Sequence, residues 1–204
     1  MFKRKKSYSL EGIDKGHHQV TYRGVPCVKC PFDYVMYQMI LSEIQPDLLI
    51  EIGTNKGGSA LYMADLMENM GKGKIHTIDI TDEAPDLVKS HPRISTFHEG
   101  WDAYDLNLAS GYETIMVIED SSHYYQNTLQ AISKFAPLVT KGSYLIVEDG
   151  IIDDLDRKKT YRGGPVKAIE EFLPKHPEFS IDLKWVNFFG ESATFNTKGF
   201  LKKR

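Results

Sequence analysis

Along this chain, segments of strand length alternate regularly with longer segments of helical spacing. The segments of strand length occupy residues 48–52, 74–80, 94–99, 114–119 and 143–148, and the first of them is a short apolar run. Segments with apolar residues at helical intervals lie at 32–44, 59–70, 124–135 and 166–173. Continuous apolar runs are typical of parallel strands that are buried on both faces. The alternation therefore predicts a doubly wound α/β fold, with helices on both faces of a mostly parallel sheet.

Two further strands are predicted near the C-terminus, at 181–189 and 192–195, joined by a turn at Gly190. No helical segment separates them, so they form an antiparallel hairpin at one edge and bring the sheet to seven strands. A chain of 204 residues suits one domain with a sizeable core. We expect residues 1–24, which are polar and weakly patterned, to be an N-terminal arm and residues 25–204 to be the single domain.

Charge and apolar patterning exclude several classes of protein. The 25 basic and 28 acidic residues give a formal net charge of −3, which predicts no general affinity for nucleic acid. The basic start of the chain is followed by no apolar stretch, so it does not resemble a secretory signal. The apolar runs are strand-sized, well short of the roughly 20 residues of a membrane-spanning helix. These observations favour a cytoplasmic protein.

The two cysteines, Cys27 and Cys30, form a C-x-x-C pattern that has three interpretations. With His17 and His18 they would supply four ligands for zinc, although adjacent histidines rarely share one ion well. A redox pair is the second interpretation, but such pairs open a helix after a strand, whereas prolines bracket this pair in a loop. The third and favoured interpretation is a pair of unremarkable thiols.

In a doubly wound sheet, ligands bind beyond the carboxyl ends of the strands. The strand at 48–52 leads into a glycine-rich loop that opens a helix, but the loop lacks the glycine spacing of pyrophosphate cradles and of P-loops. Glu51 would repel a phosphate, whereas it suits the cationic amino-acid end of S-adenosylmethionine. A plain strand–helix turn is the simpler alternative. The predicted cofactor-binding residues here are Glu51, Gly53, Thr54, Gly57, Gly58 and Ser59.

The next two strand ends extend the predicted cofactor site. Asp79 ends the strand at 74–80, where a carboxylate accepts both ribose hydroxyls of an adenosine group. The segment after the third strand, with Glu99, Gly100 and Asp102, is expected to line the adenine. Taken alone, an acidic strand end is common, but together with the glycine-rich loop it indicates a nucleoside site.

The fourth and fifth strand ends carry a cluster of carboxylates. If these strands are neighbours, Asp120, Glu148 and Asp149 meet at one edge of the sheet and repel one another unless a cation joins them. Ligands that are all oxygen suit Mg²⁺, Mn²⁺ or Ca²⁺ rather than zinc. Solvated acidic strand ends without an ion are the alternative.

His123, three residues beyond Asp120, is a candidate general base for a substrate hydroxyl, because its unperturbed pKa lies near neutrality. A helix-capping or packing role is equally compatible with its position. Residues 150–164 combine acidic, basic and glycine residues beside the carboxylates. They are expected to form either a substrate lid or an ordinary solvated connection.

Many short motifs in order resemble the cephalosporin hydroxylase family, whose members include the cephamycin-pathway methyltransferase and rhamnosyl O-methyltransferases. They span roughly residues 24–202. The matching stretches are Gly24-Val25-Pro26 with Lys29 and Pro31, Tyr37-Gln38, residues 46–54, Gly57-Gly58-Ser59-Ala60, Asp120-Ser121-Ser122-His123, Pro137-Leu138-Val139, residues 144–149, Gly164-Pro165, Thr194-Phe195-Asn196 and Gly199-Phe200-Leu201.

The resemblance implies a Rossmann-like class I methyltransferase sheet, S-adenosylmethionine as donor, a Mg²⁺ site at Asp120, Glu148 and Asp149, and a homo-oligomer. The arrangement is also similar to that of catechol-type O-methyltransferases, in which a catalytic lysine stands where this chain has His123. The family name contains the word hydroxylase, but the sequence has neither an iron-binding His-x-Asp motif nor a flavin loop.

Residues and resemblance together predict an S-adenosylmethionine-dependent, Mg²⁺-assisted O-methyltransferase, with Asp120 and His123 in the catalytic site. Its acceptor would be a hydroxyl of a sugar, a glycolipid or a natural product. Two alternatives from other classes remain. One is a catalytically silent module that binds S-adenosylmethionine. The other is a nicotinamide-dependent oxidoreductase, which Asp79 also fits but the glycine spacing and Glu51 oppose.

Overall fold

The computed structural model describes residues 9–191 and 193–204 of the chain. The β-strands are β1 Thr21–Tyr22, β2 Val25–Pro26, β3 Leu48–Ile52, β4 Lys74–Ile78, β5 Ile94–Phe97, β6 Ile115–Glu119, β7 Tyr144–Val147, β8 Phe179–Ile181 and β9 Phe200–Lys203. The α-helices are α1 Leu10–His17, α2 Pro31–Ile44, α3 Gly58–Asn69, α4 Asp86–Lys89, α5 Tyr125–Phe135, α6 Gly164–Phe172 and α7 Leu183–Val186. Strands β3 to β9 form one seven-stranded sheet in the order β5-β4-β3-β6-β7-β9-β8, and β1 pairs with β2 separately.

The sheet is parallel from β5 through β7, and its register aligns the strand ends. Ile52 at the end of β3 stands opposite Ile78 of β4 and Glu119 of β6. Glu119 in turn stands opposite Val147 of β7. Residues that directly follow these four strands therefore share one edge of the sheet, as the doubly wound fold requires.

The central strands β3, β6 and β7 are buried on both faces because helices cover both faces. In β3, Leu49 packs in a cluster with residues of α2 and α3, such as Ile40 and Leu61. Its neighbour Ile50 packs in a second cluster with residues of α5 and α6, such as Phe135. Side chains alternate between faces along a strand, so a continuous apolar run serves both clusters. This confirms the predicted fold class.

The predicted C-terminal hairpin is confirmed, but the positions predicted for its strands are wrong. β8 and β9 pair antiparallel, and β9 joins β7. Within the predicted strand at 181–189, Asp182 accepts the N–H of Lys184 at 3.0 Å and starts the short helix α7. Trp185 of this helix is fully buried and donates to the Tyr144 hydroxyl at 3.0 Å.

The second predicted strand, at 192–195, begins at Ser192, which lies outside the described residues, and residues 193–195 form no strand. The strand starts instead at Phe200. The cap at Asp182 and the buried Trp185 therefore override the aromatic, β-favouring composition of this region.

The described part of the N-terminal segment has structure that its weak patterning does not predict. Ser9 caps α1 by accepting the N–H of Gly12 at 3.0 Å. Asp14 and His17 of this helix are buried. Residues 1–8 lie outside the described residues, and the division into an arm and one domain stays a prediction. Within the described residues, no helix combines the length and the apolar character needed to cross a membrane.

Candidate active site

A cleft of about 470 Å³ opens at the carboxyl ends of β3, β4, β6 and β7. Its walls come from the loops that follow these strands, including Gly53, Thr54, Asp79, Asp120 and Asp149. The sequence places its candidate residues at these strand ends, and the structure brings most of them into the one cleft. A cavity of this volume is of the size that binds a small molecule or cofactor.

The loop after β3 holds its shape through close backbone contacts. Gly53 has a φ of +107°, and a Cβ there would lie 2.0 Å from the carbonyl oxygen of Asp120. Gly57 caps α3 in the left-handed conformation, and a Cβ on Gly58 would lie 2.2 Å from the carbonyl oxygen of Pro26. The glycines therefore let the loop after β3 pack closely against the segment after β6 and the end of β2. The free N–H groups at the N-terminus of α3 favour an electron-rich ligand atom.

Glu51 lies beneath this loop rather than in the cleft. Its side chain is fully buried and accepts hydrogen bonds from Ser59 Oγ at 2.5 Å and Thr77 Oγ1 at 2.7 Å. Burial raises its pKa, which Lys29 partly opposes. Ser59 does line the cleft, so Glu51 contacts the cleft wall through Ser59, and its role in cofactor binding stays a prediction.

Asp79 lines the cleft beside the first loop, as the sequence predicts. Its carboxylate accepts the N–H of Asn55 at 2.8 Å and the N–H of Ile80 at 2.7 Å. It therefore ties the end of β4 to the loop after β3. Such a carboxylate retains lone pairs for the hydroxyls of a ribose.

The segment after β5 only partly matches its predicted role. Gly100 lines the cleft, whereas Glu99 accepts the neighbouring N–H of His98 at 3.1 Å, and neither Glu99 nor Asp102 is among the cleft-lining residues. The lining also includes Trp101, which belongs to the segment predicted to line the adenine, and Ile80, an apolar residue with no predicted role. Ile80 is 78% exposed, which is unusual for an isoleucine and suits a planar apolar ligand surface.

Asp120, His123 and Asp149 form the acidic side of the cleft. Ligand atoms of the three residues lie within 4.8 Å of one another. The Nε2 atom of His123 lies 3.2 Å from Asp149 Oδ2. His123 and Asp149 both adopt positive φ, +58° and +57°, a conformation that is costly for side chains with a Cβ and that clusters at functional sites.

Glu148 is buried behind this group and contacts two residues for which the sequence predicted no role. Its Oε1 accepts from the Lys29 ammonium at 2.6 Å and from the Tyr37 hydroxyl at 2.7 Å. Lys29 also donates to Asp120 Oδ2 at 2.6 Å. The only sequence signal for Lys29 and Tyr37 was their place in the family motifs.

Burial and mutual repulsion set the ionisation of this cluster. Burial raises the pKa of Asp120 and of Glu148, and Lys29 opposes that rise. Burial would lower the pKa of His123, but the carboxylates of Asp149 and Asp120 outweigh it and raise that pKa. The Nδ1 atom of His123 is buried and has no hydrogen-bond partner among residues 9–191 and 193–204. An oxygen-rich group with an unpaired ring nitrogen fits a divalent cation or a substrate hydroxyl.

The C-x-x-C pair lies in the core. Cys27 and Cys30 are buried free thiols, and burial raises the pKa of each, to about 11 for Cys27 and about 12 for Cys30. The thiolate is the reactive and metal-binding form of cysteine, so these values oppose both the redox and the zinc interpretations. In the described part of the chain, His17 and His18 group with Asp14 and not with the cysteines.

The predicted lid at 150–164 packs against the N-terminal helix. Arg157 forms a bidentate ion pair with Asp14, with Nη1–Oδ1 at 3.1 Å and Nη2–Oδ2 at 2.5 Å. Farther along, the ring of Tyr161 lies 5.9 Å from the ring of His123. This segment thus borders the acidic side of the cleft and is held there by α1.

Most of the chain matches a known family. The family model described as Rhamnosyl O-methyltransferase/CmcI matches residues 15–204. A rhamnosyl O-methyltransferase of Mycobacterium tuberculosis is 34% identical over 193 residues, which cover 90% of this chain and 78% of the relative. The chain belongs to the rhamnosyl O-methyltransferase/CmcI family. A second rhamnosyl O-methyltransferase, from Mycobacterium leprae, is 32% identical over 192 residues, covering 90% of this chain and 83% of the relative.

Solved structures of cmcI share the fold. A cmcI structure with SAH has a TM-score of 0.71 at 22% identity and covers 100% of this chain and 95% of that chain. A cmcI structure with Mg-SAM has a TM-score of 0.69 at 22% identity, over 100% of this chain and 88% of that chain. Family membership confirms the resemblance and the predicted enzyme class, an S-adenosylmethionine-dependent O-methyltransferase.

Proposed function

We propose that this chain transfers the methyl group of S-adenosylmethionine to a hydroxyl of a sugar or sugar-bearing acceptor, with help from a divalent cation. One observation carries the proposal: a glycine-rich nucleoside loop and the group Asp120, His123 and Asp149 face the same cleft. Methyl transfer needs a donor and an acceptor oxygen held in line, and a shared cleft supplies that positioning. The rhamnosyl O-methyltransferase relatives support the sugar acceptor.

The donor binds along the loops after β3, β4 and β5. Ser59, Thr54 and the free N–H groups of α3 would hold the amino-acid end, and Asp79 would accept the ribose hydroxyls. Trp101 and Ile80 in the cleft wall would pack against the adenine. The cmcI structures with SAH and with Mg-SAM support this donor.

The residues present fit a divalent cation. Asp120 and Asp149 offer carboxylate oxygens that lie within 4.8 Å of each other, which suits two ligands of one ion. Glu148 uses Oε1 for Lys29 and Tyr37, so Oε2 is the oxygen through which it would join them. A Mg²⁺ ion held here would orient the acceptor hydroxyl and lower its pKa.

His123 receives the proton that the acceptor hydroxyl loses. The oxygen attacks the methyl carbon, the carbon–sulfur bond breaks, and the sulfonium charge is neutralised as the sulfide leaves. The contact with Asp149 holds the His123 imidazole at the cleft wall, where the acceptor hydroxyl would release its proton. Tyr161 beside His123 gives the acceptor an aromatic surface that suits one face of a sugar ring.

The location and the oligomeric state of the enzyme are part of the same proposal. We place the enzyme in the cytoplasm because its two cysteines are free thiols, as expected in a reducing compartment. Its homo-oligomeric state is carried over from the family resemblance, and sedimentation of the purified chain tests it.

Transfer of isotope-labelled methyl from S-adenosylmethionine to a panel of rhamnosides tests the function. The panel includes each sugar with a free pair of neighbouring hydroxyls and the same sugar lacking one of them. We expect a mass gain of one methyl on the first set, loss of transfer with a chelator, and recovery with Mg²⁺. Tight donor binding with no methylation of any hydroxyl acceptor would instead identify a silent binding module.

A further inference from the structure

Lys29 is a buried cation at the centre of the acidic strand ends. Its side chain is only 4% exposed, and its ammonium lies 2.6 Å from Asp120 Oδ2 and 2.6 Å from Glu148 Oε1. Lys29 comes from the loop between β2 and α2, far from its partners in sequence. The tertiary fold therefore brings it against the ends of β6 and β7. A buried lysine is rare unless it is paired, and this one is paired twice.

The ammonium compensates charge that the fold cannot otherwise tolerate. Glu148 is 4% exposed. Glu51, which is fully buried, adds to the negative electrostatic field at Lys29. Removing one partner from a buried ion pair leaves an uncompensated charge and is strongly destabilising. Lys29 therefore allows the carboxylates to assemble when no metal is bound.

Its contacts also occupy one oxygen of each of two carboxylates. Lys29 takes Oδ2 of Asp120 and Oε1 of Glu148, and Tyr37 shares that same Oε1. The second oxygen of each carboxylate is left for a cation in the cleft. Groups behind a metal site commonly orient its ligands in this way.

We propose that Lys29 is a positioning residue, a built-in counter-ion that preforms the cation site and weakens its hold on Mg²⁺. This inference rests on the proposed metal-assisted function. Because the ammonium repels a divalent cation bound to the same carboxylates, the ion binds reversibly, and because the ammonium stays when the ion leaves, the empty site keeps its shape. Folding then does not depend on metal.

The test compares Lys29→Met, Lys29→Arg and a control, Lys72→Met, which removes an exposed ion pair with Asp47 away from the cleft. Thermal unfolding is measured with a chelator and with saturating Mg²⁺, and Mg²⁺ affinity is measured by calorimetry. In the chelator we expect Lys29→Met to lower Tm by roughly 10 °C, and we expect Mg²⁺ to bind this variant at least about tenfold more tightly than wild type. Lys29→Arg and Lys72→Met should resemble wild type.

Two results would overturn the proposal: an Mg²⁺ affinity in Lys29→Met equal to or weaker than that of wild type, or a wild-type chain that binds no Mg²⁺. If Lys29→Met does not fold in chelator, folding upon addition of Mg²⁺ supports the proposal. If it folds under neither condition, the double variant Lys29→Met/Glu148→Gln decides, because it removes both charges. Recovery of folding supports charge compensation, and failure shows a packing role. S-adenosylmethionine binding, measured on wild type alone, judges the proposed function separately.

Discussion

Replacing Gly53 by alanine tests whether the first loop and the acidic group depend on one close contact. A Cβ on Gly53 would lie 2.0 Å from the carbonyl oxygen and 2.6 Å from the carbonyl carbon of Asp120. Real Cβ contacts do not fall below 3.0 Å, so the end of β3 and the segment after β6 must separate by about 1 Å. That movement shifts Asp120 relative to the loop after β3 and to Asp149, which follows β7.

The expected magnitude has two parts. Holding alanine at a φ of +107° costs on the order of 1–3 kcal/mol, and overpacking against a backbone carbonyl adds about 1–3 kcal/mol. Gly111→Ala is the matched control, since Gly111 has a φ of +90° with no atom within 4 Å of the added Cβ. It shares the conformational cost without the clash. A displacement of about 1 Å at Asp120 should lower kcat/KM roughly 100-fold in Gly53→Ala alone.

Urea unfolding, donor binding and methyl transfer are measured on both variants. We expect Gly53→Ala to lose more unfolding free energy than Gly111→Ala, by the clash contribution, and only Gly53→Ala to lose activity. If Gly53→Ala unfolds at the same urea concentration as Gly111→Ala and keeps wild-type turnover, the close contact between the two strand ends does not organise the site.

Three further substitutions have defined outcomes. Asp79→Ala removes the acceptor for the Asn55 N–H, so donor affinity measured by calorimetry should fall about 10–100-fold; unchanged affinity contradicts its role. His123→Gln should lower kcat by a factor of roughly 10²–10⁴ while donor Kd stays constant; rapid turnover in this variant would exclude a base role. Burial raises the pKa of Asp33 from 3.8 to about 8, so the folded state keeps a proton that the unfolded chain releases. Stability from this group is therefore full below about pH 4 and is lost as pH rises towards 8, by at most on the order of 5 kcal/mol, and Asp33→Asn should abolish that decline in urea unfolding.

The sequence predicts the fold well where the pattern is long and uniform. Runs such as 48–52 and 114–119 are mostly apolar, and this pattern has few solutions other than a strand buried on both faces. The C-terminal region fails because its outcome depends on a single cap at Asp182 and on the burial of Trp185, which composition does not reveal. Local aromatic content there favours a strand, and tertiary packing overrides it.

The candidate site is predictable where the strand register alone determines position. Asp79, Asp120 and Asp149 follow strands that end at one edge, so topology suffices to bring them together. Glu51 is different, because in a strand that is apolar on both faces the pattern does not show which way one polar side chain points. Lys29 reaches the site from a loop whose approach only the tertiary structure fixes.

Calorimetric titration of the purified chain with S-adenosylmethionine, with S-adenosylhomocysteine and NAD⁺ as comparators, tests the central claim most directly. Each titration is run with and without Mg²⁺. We expect saturable binding of both sulfur nucleosides at one site per chain and no binding of NAD⁺. A folded chain that binds neither sulfur nucleoside under either condition would contradict the proposed function.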